Sequence, residues 1–296
     1  MNPILEKIKK TGIVPVVVLN KAADAKPLAK ALCDGGLPCA EVTFRTEAAE
    51  ESIRIMTDAF PQMLVGAGTV LTTGQADRAV AAGAKFIVSP GLNPKVVNYC
   101  MDKAIPVIPG VSNPSDIEQA IELGLETVKF FPAEAAGGLN MIRAMSAPYV
   151  NMKFMPTGGI SEKNMNEYLS FPKVIACGGS WMVKGELVEA GAFDRIAELT
   201  KAAVMKMLGF ELKHIGIPCD SEKKENNTAD IFAALFGFDK KGHIAIGTNS
   251  VERAVNYLEA QGVEFIKESG KYEQDRLTAI YIRKEIAGFA VHLVQR

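Results

Sequence analysis

Between Ile13 and Val204 a short apolar run gives way to an amphipathic one eight times over, and that alternation limits the chain to very few folds. The short runs read as strands: Ile13–Leu19, Cys39–Phe44, Met63–Ala67, Phe86–Ser89, Ile105–Ile108, Thr127–Phe131, Lys153–Thr157 and Val174–Cys177. Between and after them run helical patterns over Ala22–Cys33, Ala48–Ala59, Thr73–Ala82, Asn93–Lys103, Asn113–Leu123, Leu139–Ser146, Glu162–Ser170 and Phe193–Leu208. Asn113 before Pro114 and Ser161 before Glu162 are expected helix starts. Eight strands alternating with helices predict a (β/α)8 TIM barrel in an α/β chain. An open doubly wound sheet usually stops at about six strands and carries a glycine-rich turn after the first. Here the first strand runs into Leu19-Asn20-Lys21, without glycine. The expected domains are a barrel over residues 1–208 and a small α+β domain over 209–296.

A net charge of −1 over 296 residues argues against a nucleic-acid partner and against an anionic membrane surface. The apolar run Ile13–Leu19 is far shorter than the roughly 20 residues that span a bilayer, and no small-residue cleavage site follows it. Five cysteines (33, 39, 100, 177 and 219) form no Cys-x-x-Cys pair, which suits a reduced, cytoplasmic protein. All three histidines, His214, His243 and His292, lie in the C-terminal part. Acid–base chemistry in the barrel must therefore use other groups.

Lys129 is the candidate that the barrel points to. It lies inside Thr127-Val128-Lys129-Phe130-Phe131-Pro132, where alternation sets Thr127, Lys129 and Phe131 on one face. An amine in an apolar strand is either paired with a buried carboxylate or kept neutral by desolvation so that it can attack a carbonyl. Glu41, Thr43 and Arg45 share a face of strand two, and Val42 and Phe44 take the opposite, helix-facing side. Glu41 is then the proton carrier for an iminium-forming lysine, or a structural counter-ion to Lys129 or Arg45; the two roles can coexist. Arg45 offers a two-toothed donor to a carboxylate, and Thr69 a hydroxyl beside it. Polar and glycine residues gather at the strand ends, as Gly68-Thr69, Ser89-Pro90-Gly91, Thr157-Gly158-Gly159 and Gly179-Ser180. Glycine turns after strands seven and eight favour a phosphorylated or otherwise anionic substrate end.

Six motifs carry a resemblance to a family. They are Glu41-Val42-Thr43-Phe44-Arg45-Thr46-Glu47, Gly66-Ala67-Gly68-Thr69-Val70-Leu71, Ser89-Pro90-Gly91-Leu92, Lys129-Phe130-Phe131-Pro132-Ala133-Glu134, Pro156-Thr157-Gly158-Gly159-Ile160 and Gly178-Gly179-Ser180-Trp181. In this order, across roughly residues 1–207, they resemble the 2-keto-3-deoxy-6-phosphogluconate (KDPG) and 4-hydroxy-2-oxoglutarate aldolases. The resemblance implies a class I aldolase with no cofactor and no metal, acting on a small keto-acid phosphate and assembled as a homotrimer. It matches Lys129 to the Schiff-base lysine and Glu41 to the general acid/base. It matches Arg45 and Thr69 to the pyruvate carboxylate, Pro90, Phe131 and Thr157 to the pocket wall, and Gly158, Gly159, Gly179 and Ser180 to the phosphate end. Pro156-Thr157-Gly158-Gly159 favours the gluconate over the galactonate substrate.

That resemblance ends near Leu208. Beyond it the pattern reads strand His214–Pro218, polar loop Asp220–Asn227, helix Thr228–Phe236, turn Gly237–Gly242, strand His243–Thr248, helix Val251–Gln261 and strands Val263–Lys267, Ala279–Arg283 and Phe289–Val294. It resembles a shortened vicinal-oxygen-chelate (glyoxalase-like) module whose first unit has lost its three strands. Three histidines could hold zinc, but histidines on short strands are more often hydrogen-bonded, and no metal is assigned.

Overall fold

The computed structural model describes residues 2–216, 243–286 and 289–296. They divide into two compact units, Met1–Met207 and Leu208–Arg296.

In the first unit, parallel strands β1 (Ile13–Val17), β2 (Cys39–Thr43), β3 (Leu64–Gly68) and β4 (Ile87–Val88) pair in sequence order with the first half of β5, Val107–Ile108. Pro109 has no N–H for the ladder, so β5 breaks there and resumes as Gly110–Val111. The resumed half pairs with β6 (Thr127–Phe130), which pairs with β7 (Lys153–Pro156). The last strand, β8 (Cys177–Gly179), pairs with β1, and isolated bridges Phe154↔Val174 and Thr157↔Gly178 tie its segment to that of β7. The ring is closed, so no edge is left for another chain to extend.

The outer helices are α2 (Ala25–Asp34), α3 (Ala49–Ala59), α4 (Thr73–Ala81), α5 (Pro94–Asp102), α6 (Pro114–Glu122), α7 (Gly138–Ser146), α8 (Met165–Ser170), α9 (Gly185–Glu189) and α10 (Phe193–Leu208). Asn113 caps α6 as expected, its side chain accepting the Asp116 N–H with Pro114 in the first turn. The helix expected from Glu162 starts only at Met165. Asn164 accepts the Ser161 N–H at 2.9 Å, and that local turn holds residues 161–164 out of the helix. The eighth strand also differs from Val174–Cys177. Its ladder runs through Gly178 and Gly179, which have no side chains to show a strand pattern, and Val174 forms only the isolated bridge.

An N-terminal helix, α1 (Pro3–Thr11), is capped by Asn2 and ended by left-handed Gly12. Its Ile8 joins Val14, Cys39, Leu64, Phe86, Val88, Ile108 and Met155 in one buried cluster, with Ile4 and Leu5 packed against it. Val14, Cys39, Leu64 and Phe86 stand at the N-terminal ends of their strands, and Val88, Ile108 and Met155 lie further along. The N-terminal end of the barrel is therefore filled with apolar side chains, and polar chemistry is confined to the other.

In the second unit a sheet holds strands β9 (Glu211–Gly216), β10 (His243–Thr248), β11 (Lys271–Glu273), β12 (Arg276–Tyr281) and β13 (Ala290–Gln295). Their order is β9-β10-β13-β12-β11. Helix α11 (Val251–Ala260) follows β10. The first strand thus starts earlier than His214. Instead of a strand over Val263–Lys267, only Phe265 bridges Ile282, because the chain turns tightly over Lys267–Ser269. β11 is exposed throughout and has no apolar alternation to reveal it. The loop Asp220–Asn227, the helix Thr228–Phe236, the turn Gly237–Gly242 and Cys219 lie outside the described residues.

Candidate active site

Lys129 and Glu41 are each fixed by a separate row of the barrel ladder. β1, β2 and β3 set Val16, Glu41 and Gly66 in one row, and β5, β6 and β7 set Gly110, Lys129 and Met155 in another. Across the interior Lys129 Nζ meets Glu41 Oε1 at 3.1 Å. Lys129 is 5% exposed and Glu41 fully buried. The amine is thus paired with a buried carboxylate and also stands where a carbonyl carbon could reach it. Moving one proton along this contact interconverts ammonium–carboxylate and amine–carboxylic acid, as iminium chemistry needs.

Glu41 Oε2 and Thr157 Oγ1 are buried and make no hydrogen bond among the described residues. Buried polar atoms that the fold leaves unpaired are available to a bound molecule. Both lie at the C-terminal half of the barrel, where the sequence reading put the ligand. Gly68 makes room for the carboxylate, since a Cβ there would stand 2.2 Å from Glu41 Oε1.

The rim is built from the strand ends. Arg45 lies just past β2, exposed, and its Nε donates to Thr69 Oγ1 at 3.3 Å. Thr69 holds φ +55°, a strained choice for a β-branched residue, and such strain collects at functional sites. Thr43 and Thr46 donate to the Val17 and Leu19 carbonyls and pin this loop to β1. Phe131 sets its ring 5.4 Å from Lys129 Nζ, within cation–π range. The Pro90 carbonyl sits against Gly110, beside Lys129 in the ladder. Thr157 lies against Gly178, and the Gly158–Gly159 turn follows it with φ +97° and +81°. Gly179 packs on the Trp181 ring, and Ser180 is exposed at the end of β8.

One pair escaped the sequence reading: Tyr168 on α8 donates its hydroxyl to Glu134, just past β6. Glu134 belonged to a noted motif, but an aromatic residue on an amphipathic helix gives no sign of such a partner. Burial pushes the Cys100 thiol up to about 11 and the Cys39 thiol further, so neither supplies a thiolate.

In the second unit β10 sets Ala245 between His214 on β9 and His292 on β13, with His243 two residues along. All three rings therefore share one sheet face. His214 and His243 hydrogen-bond through their Nε2 atoms at 2.7 Å, and the His243 and His292 centroids lie 5.1 Å apart. Among the described residues no group of three or more His, Cys, Asp or Glu side chains is arranged to hold a metal ion. No helix among them is long and apolar enough to cross a membrane.

Residues 4–199 match the family described as KDPG and KHG aldolase. The chain is 48% identical over 201 residues to a 2-dehydro-3-deoxy-phosphogluconate aldolase of Treponema pallidum, covering 68% of this chain and 96% of that one. It is 44% identical over 200 residues to a KHG/KDPG aldolase of Escherichia coli K12, covering 67% and 94%. Among solved structures it resembles a KDPG aldolase of Legionella pneumophila with pyruvate captured as a covalent carbinolamine. That likeness has 41% identity, a TM-score of 0.65 and coverage of 67% and 97%.

The buried pair itself can be tested without turnover. Glu41→Ala leaves the Lys129 charge buried alone and should cost about 3–5 kcal/mol in urea unfolding at neutral pH. Replacing both residues with methionine should recover most of that loss. A single variant as stable as the parent would mean that water reaches the pair.

Proposed function

This chain belongs to the KDPG and KHG aldolase family, and from that premise we propose that it cleaves KDPG to pyruvate and glyceraldehyde 3-phosphate. We also propose that it cleaves 4-hydroxy-2-oxoglutarate to pyruvate and glyoxylate. The observation that carries the reading is the buried Lys129–Glu41 contact at 3.1 Å. Neutral Lys129 adds to the C2 carbonyl, giving a carbinolamine that loses water to an iminium. Glu41 carries the protons for both changes. The Glu41 carboxylate then takes the C4 hydroxyl proton as C3–C4 breaks, and the bonding electrons flow into the iminium to give an enamine. Protonation at C3 and hydrolysis release pyruvate and free the lysine.

Arg45 and Thr69 stand at the rim to hold the pyruvate-end carboxylate, beside the pocket wall of Pro90, Phe131 and Thr157. Gly158, Gly159, Gly179 and Ser180 receive the phosphate, and the Pro156–Gly159 loop favours the gluconate configuration. We further propose a cytoplasmic homotrimer with no nucleic-acid or membrane partner. A domain over residues 209–296 serves assembly, because the residues assigned to the chemistry all lie at or before Ser180.

Two substitutions test the assigned roles. Glu41→Gln should lower kcat with little change in KM, because it removes proton transfer but keeps the side chain's shape. Arg45→Lys should raise KM with a smaller effect on kcat, because a point charge replaces a planar fork. Exchanged effects would overturn the roles.

A chain ending at Leu208 tests the domain assignment. Its turnover per folded barrel should stay within about a few-fold of the parent. A soluble, folded truncation slowed about a hundredfold would mean that the C-terminal residues complete the site.

A further inference from the structure

The Gly158–Gly159 turn is held from behind in unusual detail. The Thr157 carbonyl accepts the Ala133 N–H at 2.8 Å, and the Gly158 carbonyl accepts the Glu134 N–H at 3.0 Å. The Gly159 carbonyl accepts Asn164 Nδ2 at 3.1 Å. In a trans peptide the N–H points opposite to the carbonyl of the same unit. With three successive carbonyls fixed on one side, the Gly158, Gly159 and Ile160 N–H groups turn to the other. Among the described residues none of these three finds a partner. Successive free N–H groups on left-handed residues form a concavity suited to an anion.

The Glu134 side chain that packs against this turn is itself held by a hydroxyl. Glu134 lies flat against Gly159, so close that a Cβ there would stand 2.5 Å from Glu134 Cγ. Its carboxylate takes the hydroxyl of Tyr168, which is 2% exposed on α8. Gly138, at the start of α7, leaves the gap for both, since a Cβ there would lie 3.2 Å from the Tyr168 oxygen and 3.4 Å from Glu134 Oε1. Four segments thus meet at one hydrogen bond: the loop after β6, the start of α7, the turn after β7, and α8. For packing alone a phenylalanine would suffice; the hydroxyl is needed only for its acceptor. Burial and the neighbouring carboxylate push the Tyr168 phenol up, so it stays a donor across the working range of pH.

We propose that Tyr168 and Glu134 are positioning residues that brace the Gly158–Gly159 turn for the phosphate end of the substrate, an inference that rests on the aldolase reading above. Among the described residues the pair makes no hydrogen bond or ion pair with Lys129 or Glu41, so its influence should fall on the phosphate and not on the iminium step.

The test compares a reaction that uses the phosphate with one that does not. Tyr168→Phe keeps the ring and should fold, which circular dichroism checks. Its KM for KDPG should rise about tenfold, while kcat stays within about twofold. Exchange of the pyruvate methyl protons with deuterium, followed by proton NMR, needs only the iminium and should be unchanged. Glu134→Ala should reproduce this pattern, and Glu134→Gln, whose amide oxygen still accepts the phenol, should restore a near-parental KM. Equal loss in both reactions, or no change in either, overturns the proposal. Gly159→Ala separates the two layers of the reading. If it too spares the KM for KDPG, the phosphate assignment of the turn fails. If it raises that KM while Tyr168→Phe does not, the brace alone is wrong.

Discussion

A buried amine facing a buried carboxylate is the constraint on which the rest of the barrel depends. Taking both charges out of water costs more than a typical hydrogen bond returns, so the contact persists only in a frame that holds both side chains in place. The closed ladder is that frame. Lys129 sits between Gly110 and Met155, and Glu41 between Val16 and Gly66. Neither strand can slip by one residue without turning its charge into the helix layer. Gly68 matters for the same reason, because any side chain there would fill the space taken by the Glu41 carboxylate.

The two ends of the barrel divide the work. The N-terminal end is closed by α1 and filled with Ile8, Leu64, Phe86 and their neighbours, which gives the structure its stability. The C-terminal end keeps polar groups that stability does not require: the second oxygen of Glu41, the Thr157 hydroxyl, the strained Thr69 and the paired glycines. Loops above a rigid ring can vary in what they bind while the ring keeps the chemistry fixed.

The alternation of apolar and amphipathic runs was enough to read the barrel, because burial imposes a period on each strand and helix. The reading failed where backbone geometry replaces side-chain pattern. β8 runs through two glycines, β5 continues past Pro109, and β11 carries no apolar face. Lys129 and Glu41 were legible because a charge in an apolar strand is costly enough to demand a reason. Tyr168 was not, because a tyrosine on an amphipathic helix satisfies the pattern whether or not its hydroxyl has a task. The three histidines lie on one sheet face through the register of β9, β10 and β13, and sequence spacing does not disclose that register.

The most direct measurement is covalent capture. The full chain is incubated with pyruvate, reduced with borohydride and digested, and the peptides are read by mass spectrometry. A pyruvate-derived secondary amine confined to Lys129, and absent from Lys129→Met, is the expected result. Capture on another lysine, or no capture while KDPG is still cleaved, would contradict the buried pair as the seat of the chemistry.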